Sequence, residues 1–300
     1  MQDTLDIVKK ADQLIKKSEY QSAIDLLNEA IEGIEQNPIL YEVDYPLVYK
    51  KFGQCYGLKG DIEKANEYFQ KGLVESTKNL NITEKCDILA SLAFLELHTG
   101  DLYKALKYAS KSEDMIGEKR GKRYYFARAN TFKVLGDIHF REGDIKKAED
   151  YYKKARIIFR KWKLEEEKFN VMLDIITIRI LEESYIQAGL YLEEGILEKI
   201  ETKCPNLLYR YYLVLSKLET ATKQYKYAQE SLEKALSYAK EHNQERAIAE
   251  IYEMMADLNV KTEDFDTAKD NYNRALERYK ERSCNPHVER IGLKLGDIAS

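Results

Sequence analysis

The sequence predicts an all-α chain, folded as a right-handed α-solenoid of seven helix pairs plus a C-terminal helix. Three observations predict it. Glycine and proline are scarce, at 14 and 4 of 300 residues, which argues against a turn-rich β protein. Apolar residues recur at three-and-four spacing, as in Tyr49–Gly60 and Ile62–Leu73, the period of a helix face. Small residues recur about every 40 positions, and a period between 20 and 50 residues marks a stacked repeat.

An alanine anchors each unit: Ala23, Ala65, Ala105, Ala148, Ala188, Ala228 and Ala268, with successive spacings of 42, 40, 43, 40, 40 and 40. Seven residues after the anchor stand Ala30, Gly72, Ser112, Ala155, Gly195, Ala235 and Ala275. Twelve before it stand Ala11, Gly53, Ala93, Gly136, Ser216 and Ala256, with Ile176 the exception. Where two helices cross closely, only such small side chains let the backbones approach. Large residues hold their own columns, such as Leu27, Phe69, Tyr152, Leu192, Leu232 and Tyr272 four after the anchor, where the third unit has Ala109. Gly60, Gly100 and Gly143 end first helices, and Asp61, Asp101 and Asp144 are placed to cap the second. The four prolines, Pro38, Pro46, Pro205 and Pro286, fall between pairs, where no helical hydrogen bond is lost. The expected repeats are 4–43, 46–85, 86–125, 129–168, 169–208, 209–248 and 249–288, within one solenoid domain over 1–300. Leu295-Gly296-Asp297-Ile298 echoes Leu135-Gly136-Asp137-Ile138, so 286–300 reads as the first helix of an eighth unit.

These columns resemble the tetratricopeptide repeat: Tyr49, Phe52, Gly53, Tyr56, Ala65, Phe69 and Gly72 in the second unit, and Phe132, Leu135, Gly136, His139, Ala148, Tyr152 and Ala155 in the fourth. The usual unit of that family has 34 residues, against about 40 here. The resemblance implies that first helices line a concave groove in which partners bind. Positions 18, 15, 11 and 8 before each anchor then face the groove. They nominate Lys50, Gln54, Phe94, Leu97, Asn130, Lys133, Asp137, Asn170, Leu173, Thr177, Arg210, Leu213 and Lys217 as peptide- or partner-binding residues. Apolar side chains would form the floor, and Lys, Arg, Asn and Gln would supply donors around it. The five-residue clamp with which some relatives hold chaperone C-termini is not reproduced, since Lys50 and Gln54 are followed by Ser91, Asn130 and Val134.

Charge is mixed, with 48 basic against 52 acidic residues, which gives no reason to expect nucleic acid or an anionic membrane. Cys55, Cys86, Cys204 and Cys284 lie far apart, so neither a disulfide framework nor a zinc site is expected. His98, His139, His242 and His287 form no metal-ligand spacing, and no phosphate loop or nucleophile motif occurs. No run approaches the roughly 18 apolar residues of a membrane span. The expectation is a cytoplasmic, non-catalytic scaffold without cofactor or metal, whose partner is a protein or peptide segment, with a homodimer allowed. A second expectation comes from likeness alone. Long units with Asn on the groove helices are similar to the peptide-sensing repeat domains of Gram-positive quorum regulators. Those carry an N-terminal output domain, whereas here the first repeat begins near Met1. The chain would then be a pheromone-sensing region lacking that output domain, and a Rap-like phosphatase activity would need the missing bundle.

Overall fold

A computed structural model describes residues 4–38, 42–193, 195–281 and 285–299. Among the described residues it consists of helices joined by short turns, with no strand. Two compact units arise, Met1–Ile158 and Phe159–Ser300.

In the first unit, α1 (Thr4–Lys16) packs on α2 (Tyr20–Gln36), α3 (Tyr45–Lys59) on α4 (Ile62–Lys78), and α5 (Ile82–Thr99) on α6 (Leu102–Ile116). Next come α7 (Lys122–Glu142) and α8 (Ile145–Lys161), whose last turn lies past the division. In the second unit, α9 (Glu165–Leu181) is followed by α10 (Tyr185–Glu193) and α11 (Ile196–Lys203). Then α12 (Leu208–Ala221) packs on α13 (Tyr225–Glu241), and α14 (Glu245–Lys261) on α15 (Phe265–Glu281). The final helix, α16 (Asn285–Ala299), lies against α15. First helices of successive pairs also touch: α3 with α5, α5 with α7, α9 with α12, and α12 with α14.

This layering explains two kinds of helix. A first helix meets neighbours on several sides. Thus α5 buries Cys86, Ile88, Leu89, Ala90, Leu92, Ala93, Leu95 and Leu97 with hardly a gap. A second helix has one wet face, and α6 buries only the stripe Ala105, Ala109, Ser112 and Ile116. All seven anchor alanines are fully buried. At the crossings the small residue is a steric requirement. A Cβ on Gly53 would lie 2.5 Å from Phe69 Cε1, and one on Gly136 would lie 2.6 Å from the Tyr152 ring. Ile176 is buried in the same column. Cys55, Cys86 and Cys204 are free and buried; burial pushes the Cys55 thiol up to about 12 and the Cys86 thiol up to about 11. Cys284 lies outside the described residues.

The turn within each pair has one geometry. Its residue five before the anchor is left-handed in all seven units: Gly60, Gly100 and Gly143 at φ 92°, 94° and 81°, and Ser18, Glu183, Lys223 and Glu263 at 61°, 58°, 62° and 62°. Asp61, Asp101 and Asp144 accept from the backbone N–H of Lys64, Lys104 and Lys147 at 3.1, 2.9 and 3.1 Å, as N-caps do. The second helix of the fifth pair departs from the pattern. Gly195, at the small position where Ala155 and Ala235 are helical, takes φ 65° and divides it into α10 and α11. His139 fills a tyrosine column as a packing residue. It stacks on Tyr151 with ring centroids 5.6 Å apart and Nδ1 2.8 Å from Glu142 Oε2.

Candidate functional site

The nominated residues all stand on first helices, because they were counted from buried anchors on the paired second helices. In the first unit the central group is Lys50 on α3. It is only 7% exposed, and its Nζ donates to Glu84 Oε2 at 2.7 Å and Asp87 Oδ2 at 3.3 Å, both on α5. Burial works to lower its pKa, but Asp87 and Glu84 outweigh burial and raise it well above the ordinary lysine value. Lys50 is therefore a charged link between two repeats. Asn130 on α7 donates from Nδ2 to the other Asp87 oxygen at 3.2 Å, so one carboxylate ties α3, α5 and α7 together. Gln54 is half-buried nearby on α3.

One turn further along α7, Lys133 Nζ lies 2.8 Å from Asp137 Oδ2, and the Tyr152 hydroxyl donates to Asp137 Oδ1 at 2.8 Å. Phe94 on α5 is 38% exposed and meets His98 edge-on, with centroids 4.1 Å apart. Leu97 sits deeper, at 3% exposure, in the core with Ala105, Val134 and Ile138.

The second unit repeats the device. Arg210 on α12 donates from Nη1 to Asn170 Oδ1 and from Nη2 to Asp174 Oδ1 at 2.6 Å, both on α9. Burial opposes its charge, and Asp174 more than restores it, so its pKa is held above the usual arginine range. Lys217, 35% exposed at its side chain, reaches Glu250 Oε1 at 3.8 Å. Thr177 donates its hydroxyl to Leu173 O within its own helix at 2.9 Å. Leu173 and Leu213 are core residues, at 1% and 4% exposure.

The apolar floor expected from counting is thus largely interior: Leu97, Leu173 and Leu213 pack between helix pairs, and only Phe94 offers real surface. Of the polar residues, Lys50 is itself buried, and Lys50, Asn130, Lys133, Asn170 and Arg210 are bonded to neighbouring side chains. A lateral rule underlies this. The position 18 before the anchor pairs with the preceding first helix in Asn130–Asp87 and Arg210–Asn170, and Arg290, its counterpart on α16, binds Glu253 on α14 at 2.9 and 2.6 Å. Glu253 and Asp257 fall at groove-facing positions counted from Ala268, whereas Glu84, Asp174, Arg290 and Lys294 carry no such signal in the sequence. The pattern they share is an acid and a base about 34 to 41 residues apart, and it becomes readable only once the rotation between repeats is known. These helices offer carboxylates, amides and cations already oriented by one another, with Asn130 Oδ1 and Asn170 Nδ2 beyond the bonds described. Among the described residues no group of His, Cys, Asp or Glu could hold a metal ion.

Residues 85–161 and 249–282 match family models described as tetratricopeptide repeat. The chain is 34% identical over 116 residues to the heat shock protein STI1 of Saccharomyces cerevisiae; the match covers 37% of this chain and 17% of that protein. The crystal structure of the apo form of RapI matches with a TM-score of 0.68 at 14% identity, over 93% of this chain and 98% of that one. A Rap protein complexed with Competence and Sporulation Factor gives 0.72 at 13% identity, over 96% and 80%. NprR in complex with its cognate peptide NprX gives 0.64 at 17%, over 97% and 82%. Tetratricopeptide repeats are thus matched over residues 85–161 and 249–282, and the chain is similar in fold to the Rap and NprR proteins.

Proposed function

We propose that this chain is a non-catalytic binding protein that holds an extended peptide, or an extended segment of a partner protein, along its first helices. One observation carries the reading. Within each compact unit one fixed repeat position bears amides and charges, Asn130 in the first and Asn170 and Arg210 in the second, each oriented by a cross-repeat bond. An asparagine held in that way can still pair with a peptide backbone, and a preorganised donor costs less entropy to use. Two proteins of similar fold are found in complexes, a Rap protein with Competence and Sporulation Factor and NprR with its cognate peptide NprX. That favours a short signalling peptide as ligand over a folded partner, and a regulatory role for the chain. The site needs no cofactor, and cytoplasmic residence suits a peptide receptor with buried free thiols. Among the described residues no helix is long and apolar enough to cross a membrane.

An array of synthetic peptides of six to ten residues tests this. Wild-type protein should bind a subset of sequences. Asn130→Ala or Lys217→Ala should weaken that subset about tenfold, the equivalent of ~1.4 kcal/mol. A bound peptide at 100 times its Kd should also stabilise the fold by about 2.7 kcal/mol, read as a raised melting temperature. An array with no reproducible binder, or binders indifferent to both substitutions, would overturn the reading.

A further inference from the structure

The second helices carry a feature unrelated to the ligand face. Their wet side is marked by the positions two before and two after the anchor. These are Gln21 and Asp25, Glu63 and Glu67, Tyr103 and Lys107, Lys146 and Asp150, Lys226 and Glu230, and Asp266 and Asp270. Every one of those six pairs contains a charge. The fifth unit breaks the rule with Ile186 and Leu190, which are 82% and 56% exposed. They stand one turn apart on α10, with Gly189 on the same face adding no side chain. Leu181, at the end of α9, is 57% exposed and adds apolar surface at the entrance to α10. Single exposed apolar residues need no explanation, but an apolar stripe on one helix face, where every counterpart pair contains a charge, does.

The surroundings say what would cover it. Residues 181–203 hold six glutamates against two lysines, a net of −4, as large as the charge of the whole chain. Glu183 in the turn before α10 and Glu193 at its end are both exposed, so the stripe has acid at each end. Glu182 is already paired with Arg179 at 2.6 Å. A second copy would set those glutamates against their own equivalents, at a cost from like charge. We propose that α10 is a docking surface for an amphipathic helix of a partner protein, whose apolar stripe is bracketed by lysine or arginine. Ile186 and Leu190 are the anchors, and Glu183 and Glu193 read the flanking cations. This goes beyond the peptide-binding reading and uses a different helix layer.

The test is a fluorescence-anisotropy titration with a labelled amphipathic helix built from leucine and lysine, against a control in which glutamate replaces lysine around the same leucine stripe. The lysine peptide should bind at least about tenfold more tightly than its glutamate counterpart. Ile186→Gln with Leu190→Gln should weaken it about tenfold. The melting temperature should hold, because both side chains are exposed. Three results would overturn the proposal: the double variant binds the lysine peptide as the wild type does; the wild type is a dimer that the double variant dissolves, which makes a second copy the occupant; or the double variant melts markedly lower, which makes the two residues packing residues.

Discussion

Gly53 and Gly136 show how much one missing methyl group matters. Both sit where a Cβ would be 2.5 to 2.6 Å from an aromatic ring, so Gly→Ala there should overpack the crossing and cost about 1–3 kcal/mol in urea unfolding. Gly292 and Gly296 on α16 have nothing within 4 Å of such a Cβ. Alanine there should stabilise by roughly 0.5–1 kcal/mol through helix propensity. Glycine alone therefore does not reveal a contact; the contact depends on whether a second helix crosses. Glu253 carries a second prediction. It is 5% exposed, and its Oε1 and Oε2 accept from Arg290 Nε and Nη2 at 2.9 and 2.6 Å, with Lys294 Nζ at 3.0 Å from Oε1. Burial raises its pKa, but the bonds and charges of Arg290 and Lys294 outweigh burial and hold it below the ordinary 4.5. A carboxylate depressed in the folded state contributes stability fully above its unfolded pKa and loses it as pH falls through the folded value. Hydrogen exchange in α16 should accordingly speed up as pH drops below about 4.5, after correction for the intrinsic rate. Glu253→Gln should remove that pH dependence and lower stability by about 2 kcal/mol.

Repeat elements reuse one turn with different residues. Three units meet its left-handed position with glycine; the other four, with Ser18, Glu183, Lys223 and Glu263, meet it with a Cβ. Lys223→Gly and Glu263→Gly should each raise stability by about 1 kcal/mol, because the left-handed conformation penalises a Cβ by roughly 1–2 kcal/mol; unchanged or lowered melting temperatures would contradict the reading. The sequence pattern made the glycine-ended helices legible but left the other four turns without a signal, since Ser18, Glu183, Lys223 and Glu263 are ordinary helix-surface residues. Likewise Gly195 read as one more small contact residue, although its left-handed φ ends α10. Helix α10 itself was legible in principle: two apolar residues occupy a pair of columns that contains a charge in every other unit, a departure visible only when units are aligned by their anchors.

Across the whole molecule, the seven anchors made the fold readable, because burial of a small side chain is a local demand that recurs at each crossing. The candidate site was readable only by column. Counting placed Asn130, Asn170 and Arg210 on the correct helices, but it could not reveal that they bond across repeats, nor that Leu97, Leu173 and Leu213 are inside. Both facts depend on how one pair rotates against the next, which no single unit encodes. That coupling is nearest-neighbour in a repeat protein. Lys50→Met should cost about 2–3 kcal/mol, less than the full value for a buried ion pair because Glu84 and Asp87 remain 22% and 19% exposed. Its loss of exchange protection should fall mainly within Met1–Ile158; an equal loss in Phe159–Ser300 would show longer-range coupling. The central claim is that the first helices hold an extended peptide. Hydrogen exchange with and without the tightest array peptide tests it most directly. Slowed exchange in α5 and α7, or in α9 and α12, with α10 unchanged, is the predicted result; protection confined to the second helices would contradict it.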